Sequence, residues 1–193
     1  MWLIRYFLSG RLKFGPYIVA DNKRNCRKGH MMTISVGDKL PDAMLIKLGE
    51  EGPEQVSVST LTEGRNVVMF AVPGAYTGVC TTAHVPSFIR TKDEFAERGV
   101  EEIICVSVND PFVMAEWSDA TGAGEAGIAM VGDPFCEFTK ALGMEFSAPP
   151  AGLIDRSKRY AMLVMDGEVK VLNVEESPGT CETSAGEGLL DDM

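Results

Sequence analysis

The chain predicts an α/β fold: a central mixed sheet with helices on both faces. Three observations carry this. Two nearly unbroken apolar runs, 66–72 and 103–108, read as strands covered on both sides. Helical patterns alternate with the strands. Near the C-terminus, two apolar runs flank Asp166-Gly167, a strong short-range hairpin signal.

Taken in order, 43–48 reads as a first strand and Val56–Ser59 as a short second. Ser59 is the expected cap of a helical turn over Thr60–Gly64. After the strand 66–72 and a Gly-containing loop, apolar positions at Val85, Phe88, Ile89, Phe95 and Ala96 give a helix over 80–97. Pro86 within it should kink it or split off its first turn. Strand Ile103–Val108 precedes Asp110-Pro111, which opens a helix to about Asp119 with Pro in the first turn. Ile128–Val131 is a short strand, and a helix is expected near Glu137–Leu142. Residues 144–154, with Pro149-Pro150, read as loop. Tyr160–Met165 and Glu168–Val174 form the hairpin, and Ser184 with Glu187 suggests a capping box before Leu189-Leu190.

The 193 residues are 45% hydrophobic and 24% charged, enough for one ordinary core. The net charge of −10 is unevenly spread. Residues 1–31 carry seven Lys/Arg and one acid, Asp21, leaving 11 basic and 27 acidic residues in 32–193. So acidic a body repels phosphate backbones, which argues against nucleic acid as a partner. The apolar pieces of 1–31 are too short for a bilayer, so no membrane partner is expected. The segment is read as a basic extension, disordered or not native, with the domain spanning 32–193. Three readings stay open for it: an organelle-targeting presequence, a surface arm, or upstream translated sequence before a start at Met31 or Met32.

The cysteines are Cys26, Cys80, Cys105, Cys136 and Cys181. An odd count, wide spacing and no Cys-x-x-Cys pair argue against a disulfide framework or a zinc site. Free thiols in a reducing compartment fit best, and the expected location is cytoplasmic, or organellar if 1–31 is a presequence. Cys80 stands apart. It ends the run Pro73-Gly-Ala-Tyr-Thr-Gly-Val-Cys80, between a buried strand and a helix. Donors at such a junction favour negative charge, and the thiolate is the nucleophile.

The run Val72–Cys80, with Thr82-Ala-His-Val-Pro-Ser-Phe88, resembles the active-site loop of atypical type II (type-5-like) peroxiredoxins. Further matches are Cys105-Val-Ser-Val-Asn-Asp110, Glu137-Phe-Thr-Lys-Ala-Leu-Gly143 and Arg156-Ser-Lys-Arg-Tyr-Ala-Met162. The similarity spans about 32–193 and looks most like the glutaredoxin-linked bacterial and plant members. It implies a thioredoxin-like fold and thiol-dependent reduction of hydrogen peroxide and organic hydroperoxides, with no metal or other cofactor. Cys80 is then the nucleophile that becomes a sulfenic acid. Thr77, three residues earlier, turns its hydroxyl to the same pocket, Pro73 shields the thiol, and Arg159 holds the peroxide and favours the thiolate. Arg159 rather than Arg156 rests on the match of Lys158-Arg159-Tyr160 and on strand alternation. The family commonly has Pro where this chain has Gly78, so a looser loop is expected.

His84 invites a Cys–His reading, with support of the site as its expected task. Cys105 reads as a buried inert thiol, with a part in recycling as the alternative that the resemblance implies, and Cys136 as incidental. Cys181 is a candidate resolving partner, although Pro178–Ser184 does not align cleanly with the branch that keeps one there. The expected reductant is therefore external: glutathione with glutaredoxin, or thioredoxin. A homodimer is expected, with Phe112, Trp117 and Phe135 as contact candidates that read more readily as core. Two competing functions stay open: a thiol–disulfide oxidoreductase, disfavoured by the missing Cys-x-x-Cys, and a non-enzymatic peroxide sensor or redox relay through Cys80.

Overall fold

A computed structural model describes residues 33–193; the basic segment 1–31 lies outside them. The strands are β1 (Met44–Gly49), β2 (Gly52–Ser57), β3 (Asn66–Val72), β4 (Glu102–Ser107), β5 (Ile128–Gly132), β6 (Glu145–Ala148), β7 (Leu153–Ser157), β8 (Tyr160–Met165) and β9 (Glu168–Val174). Seven form one sheet in the order β2-β1-β5-β4-β3-β8-β9. β3, β4 and β5 run parallel, while β8, β9, β1 and β2 join antiparallel. The helices are α1 (Val58–Thr62), α2 (Val85–Glu97), α3 (Pro111–Thr121), α4 (Glu137–Ala141) and α5 (Gly186–Asp191).

Alternation along β3 divides the core. Val67, Met69 and Ala71 join Val58 and Leu61 of α1 and Phe138 of α4 on one face. Val68, Phe70 and Val72 join Phe88 and Phe95 of α2, Met114 and Trp117 of α3 and Leu189 of α5 on the other. Both faces are covered, which is why β3 reads as continuous apolar sequence. Phe70 stacks on Phe88 at 4.1 Å and Phe88 on Phe95 at 5.8 Å. Each such pair adds about 0.5–1.5 kcal/mol beyond buried area.

The hairpin forms as expected. Asp166 and Gly167 both take positive φ (50° and 71°), the conformation of a tight turn that Gly accepts without strain. Pro86 does split the helix: Cys80–His84 is a π-helical turn, and α2 begins at Val85. Asp110 caps α3, accepting from the Phe112 and Val113 amides at 3.0 Å.

Four expectations are corrected. The cap of α1 is Ser57, accepting from Thr60 N at 3.0 Å, because the helix starts two residues earlier than expected. Residues 144–154 are not loop. β6 and β7 pair antiparallel around a 3-10 turn, Pro149–Ala151. No capping box precedes α5, because the Ser184 hydroxyl donates to Glu175 and Glu187 pairs with Arg90 instead. Of the aromatic candidates, only Trp117 is core, while Phe112 (57%) and Phe135 (73%) are exposed.

Candidate active site

The loop after β3 is shaped by its own backbone and by Asn109. Tyr76 takes a left-handed φ of 60°, reversing the chain so that Thr77 faces the coming helix. Asn109 Oδ1 accepts from Ala75 N at 3.0 Å and from Ser107 Oγ at 2.8 Å. Arg156 donates to Val108 O at 2.8 Å. It braces the Asn109 turn and makes no hydrogen bond to Cys80. Pro73 is buried at the exit of β3.

Cys80 is fully buried at the start of the π-helical turn. Thr77 Oγ1 lies 2.9 Å from its Sγ and 2.8 Å from Gly74 O. A hydroxyl has one proton, so these contacts alternate. With a thiolate, Thr77 donates to sulfur; with a thiol, the S–H can donate to Thr77 while Thr77 donates to Gly74 O. Arg159 Nη2 reaches Sγ from the other side at 3.3 Å. Arg159 shares the phase of Ala161, whose side chain lies in the same apolar cluster as Cys80. Two donors thus meet at one sulfur, and one of them is a permanent cation.

His84 lies behind the guanidinium, against the Phe70 and Phe88 rings. Arg159 Nη1 is 3.1 Å from His84 Nδ1, and Nε2 is 2.8 Å from Ser184 O. Guanidinium only donates, so Nδ1 must be the acceptor and Nε2 must carry the proton. Burial first, and the Arg159 charge second, lower the His84 pKa to about 3. His84 touches Arg159 rather than Cys80, so it is placed to hold the cation and not to deprotonate the thiol.

The other thiols differ. Cys105 is buried beside Phe70 of β3, and burial, then the charge of Cys80, pushes its thiol well up. Cys136 at the start of α4 is pushed up to about 11 by burial and by Asp133. Cys181 is half-buried in the segment between β9 and α5, its thiol raised by burial and opposed by Arg159. Sequence reasoning missed Asn109, Glu175, Pro178 and Ser184 as parts of the surroundings. Asn109 sits inside a matched motif, whereas the other three act through backbone carbonyls or a loop that no spacing rule marks. Among the described residues, no group of three or more His, Cys, Asp and Glu could hold a metal ion.

A family model described as Redoxin matches residues 35–190. Peroxiredoxin-2E-2, chloroplastic, of Oryza sativa subsp. japonica is 49% identical over 162 residues, 82% of this chain and 72% of that protein. Peroxiredoxin-2C of the same organism is 41% identical over 161 residues, 83% of this chain and 98% of that protein. Reduced Prx3 in complex with hydrogen peroxide from Vibrio vulnificus superposes with a TM-score of 0.77 at 42% identity, covering 83% of this chain and 99% of that one. The chain belongs to the peroxiredoxin family, thiol-dependent peroxidases on a thioredoxin-like fold.

Proposed function

We propose that Cys80 is the peroxidatic nucleophile of a type II enzyme acting on hydrogen peroxide and organic hydroperoxides. The observation that carries this is the convergence of Thr77 Oγ1 and Arg159 Nη2 on one buried sulfur, at 2.9 and 3.3 Å. The thiolate attacks one peroxide oxygen and the O–O bond breaks. Cys80 becomes a sulfenic acid, and the second oxygen leaves as hydroxide or alkoxide to be protonated. Thr77 and Arg159 stabilise the charge that moves from sulfur to the leaving oxygen. Pro73, buried beside the loop, keeps water from the sulfur.

The sulfenic acid condenses with a thiol, releasing water and leaving a mixed disulfide; a second thiol then frees Cys80. An external reductant, glutathione with glutaredoxin or thioredoxin, is supported by the burial of Cys105 and by the hydrogen-bonded segment that holds Cys181. The names of the 2E-2 and 2C relatives support the type II reading. The test is stopped-flow peroxide consumption with each reductant separately, on wild type and Cys80→Ser. Turnover is lost in Cys80→Ser under the proposal, and retained turnover there removes Cys80 from the chemistry. Cys181→Ser keeps most activity with glutaredoxin; a collapse makes Cys181 the resolving thiol. A sensor or relay would instead oxidise once per molecule and stop despite excess thiol.

A homodimer is supported by the exposed Phe112 and Phe135. Light scattering should show a shift toward monomer in Phe112→Asp/Phe135→Asp. For location, the organellar reading draws support from the basic residues of 1–31 and from the relative named chloroplastic. A fluorescent reporter fused behind 1–31 moves to an organelle if this is right and stays diffuse in the cytoplasm if not.

A further inference from the structure

Arg159 is 1% exposed, yet none of the ion pairs among the described residues includes it. It is held by neutral groups. Nη2 donates to Pro178 O at 2.9 Å, Nη1 donates to His84 Nδ1, and Nε is without a partner. Both of these holds lead to one segment, 177–184. Pro178 lies in it, and Ser184 O fixes the His84 tautomer that accepts from Arg159. The Cys80 sulfur lies within reach of the guanidinium, 3.3 Å from Nη2.

The segment is folded around a single carboxylate. Glu175 Oε1 accepts from Glu182 N at 2.7 Å, Ser184 N at 2.9 Å and Ser184 Oγ at 2.9 Å, with Thr183 Oγ1 at 3.4 Å. Oε2 accepts from Thr180 Oγ1 at 2.9 Å. Glu175 N in turn donates to Arg159 O at 3.0 Å, so the clasp and the cation share a backbone bond. Burial opposes the carboxylate charge, but the donors of Ser184, Glu182 and Thr180 outweigh it and hold the group at about 2. It is therefore ionised throughout the working range.

We propose that Glu175 is a positioning residue for Cys80 chemistry: its carboxylate folds 177–184 so that the carbonyls of Pro178 and Ser184 aim Arg159 at the sulfur. The proposal rests on the reading of Cys80 as nucleophile and Arg159 as its partner. Glu175 makes no hydrogen bond to the sulfur, whose side-chain partners are Thr77 and Arg159. It acts through two carbonyls and an imidazole.

The test is Glu175→Gln in the full chain, a near-isostere without charge, compared with wild type, Cys80→Ser and Arg159→Lys. Two readouts are followed by mass spectrometry: alkylation of Cys80 against pH, and alkylation of Cys181 as a report on the segment. The expected result is faster Cys181 labelling, a Cys80 profile displaced to higher pH, and peroxide reduction slowed about 10- to 100-fold, as for a small misplacement of a reacting group. In the Arg159→Lys background the same change has little further effect. Faster Cys181 labelling with an unmoved Cys80 profile and rate overturns the proposal, leaving Glu175 a loop clasp only. Unchanged labelling of both thiols also overturns it. Additive losses with Arg159→Lys would show Glu175 acting by another route. Turnover retained in Cys80→Ser would instead sink the underlying reading. If Glu175→Gln does not fold, Ser184→Ala and Thr180→Val each remove one donor and should move both readouts the same way by less; no movement in either counts against the proposal.

Discussion

At the residue scale, a single proton on Thr77 links the state of the sulfur to the loop. Its hydroxyl sits between Sγ and Gly74 O at 2.9 and 2.8 Å, so ionising Cys80 turns it from the carbonyl toward the sulfur. The switch needs no backbone movement. Thr77→Val keeps the shape and removes the donor. Peroxide reduction by that variant should fall about 100-fold, the usual cost of one lost donor to a developing anion. Thr77→Ser keeps the hydroxyl and should stay within about tenfold of wild type. Stopped-flow rates on the pair separate loss of the donor from loss of packing.

At the element scale, the π-helical turn and the Asn109 turn set the sulfur's position. Pro86 lacks an N–H, and the widened turn lets Val85 N bond Cys80 O instead. On the other flank, the backbone of Asn109 crosses directly over Gly132 at the end of β5, where a Cβ would overlap the Asn109 carbonyl oxygen. Gly132→Ala should therefore destabilise by about 1–3 kcal/mol, as overpacking does. It should also loosen the Ala75 contact. Urea unfolding checks the first and a slower peroxide reaction the second; a variant as stable as wild type would show the crossing to be softer than drawn. Pro86 was legible as a break in the helix, but the π register was not, because it depends on how α2 seats against Phe70. The Pro149-Pro150 stretch read as loop because Pro is poorly suited to strands. In the fold it forms the 3-10 turn, and the strands lie to either side.

At the scale of the whole molecule, a buried neutral imidazole makes stability depend on pH. Unfolded His84 takes up a proton near 6.5, whereas in the folded protein it does so only near 3. Between those values the unfolded chain binds the extra proton, so its share of stability is whole above pH 6.5 and is lost as pH falls toward 3. The slope is up to about 1.4 kcal/mol per pH unit. Urea titrations at pH 7 and pH 4.5 should show the decline in wild type and a shallower one in His84→Gln. An equally steep decline in the variant would assign the effect to other groups.

The sequence alone determined the alternation of buried strands and helices, the hairpin, and the loop that carries Cys80 and Thr77. These follow from local rules: periodicity of two or 3.6, turn chemistry and motif spacing. It also singled out Arg159 over Arg156, through the match of Lys158-Arg159-Tyr160 with strand alternation as support. Tertiary structure alone decided how that guanidinium is held. Its partners at 84 and 178, the Ser184 carbonyl that holds His84, and the carboxylate at 175 behind them meet only when the π-helical turn, the start of β8 and the segment after β9 pack together. Backbone carbonyls belong to every residue type, so no side-chain pattern can mark in advance which of them a buried cation will find.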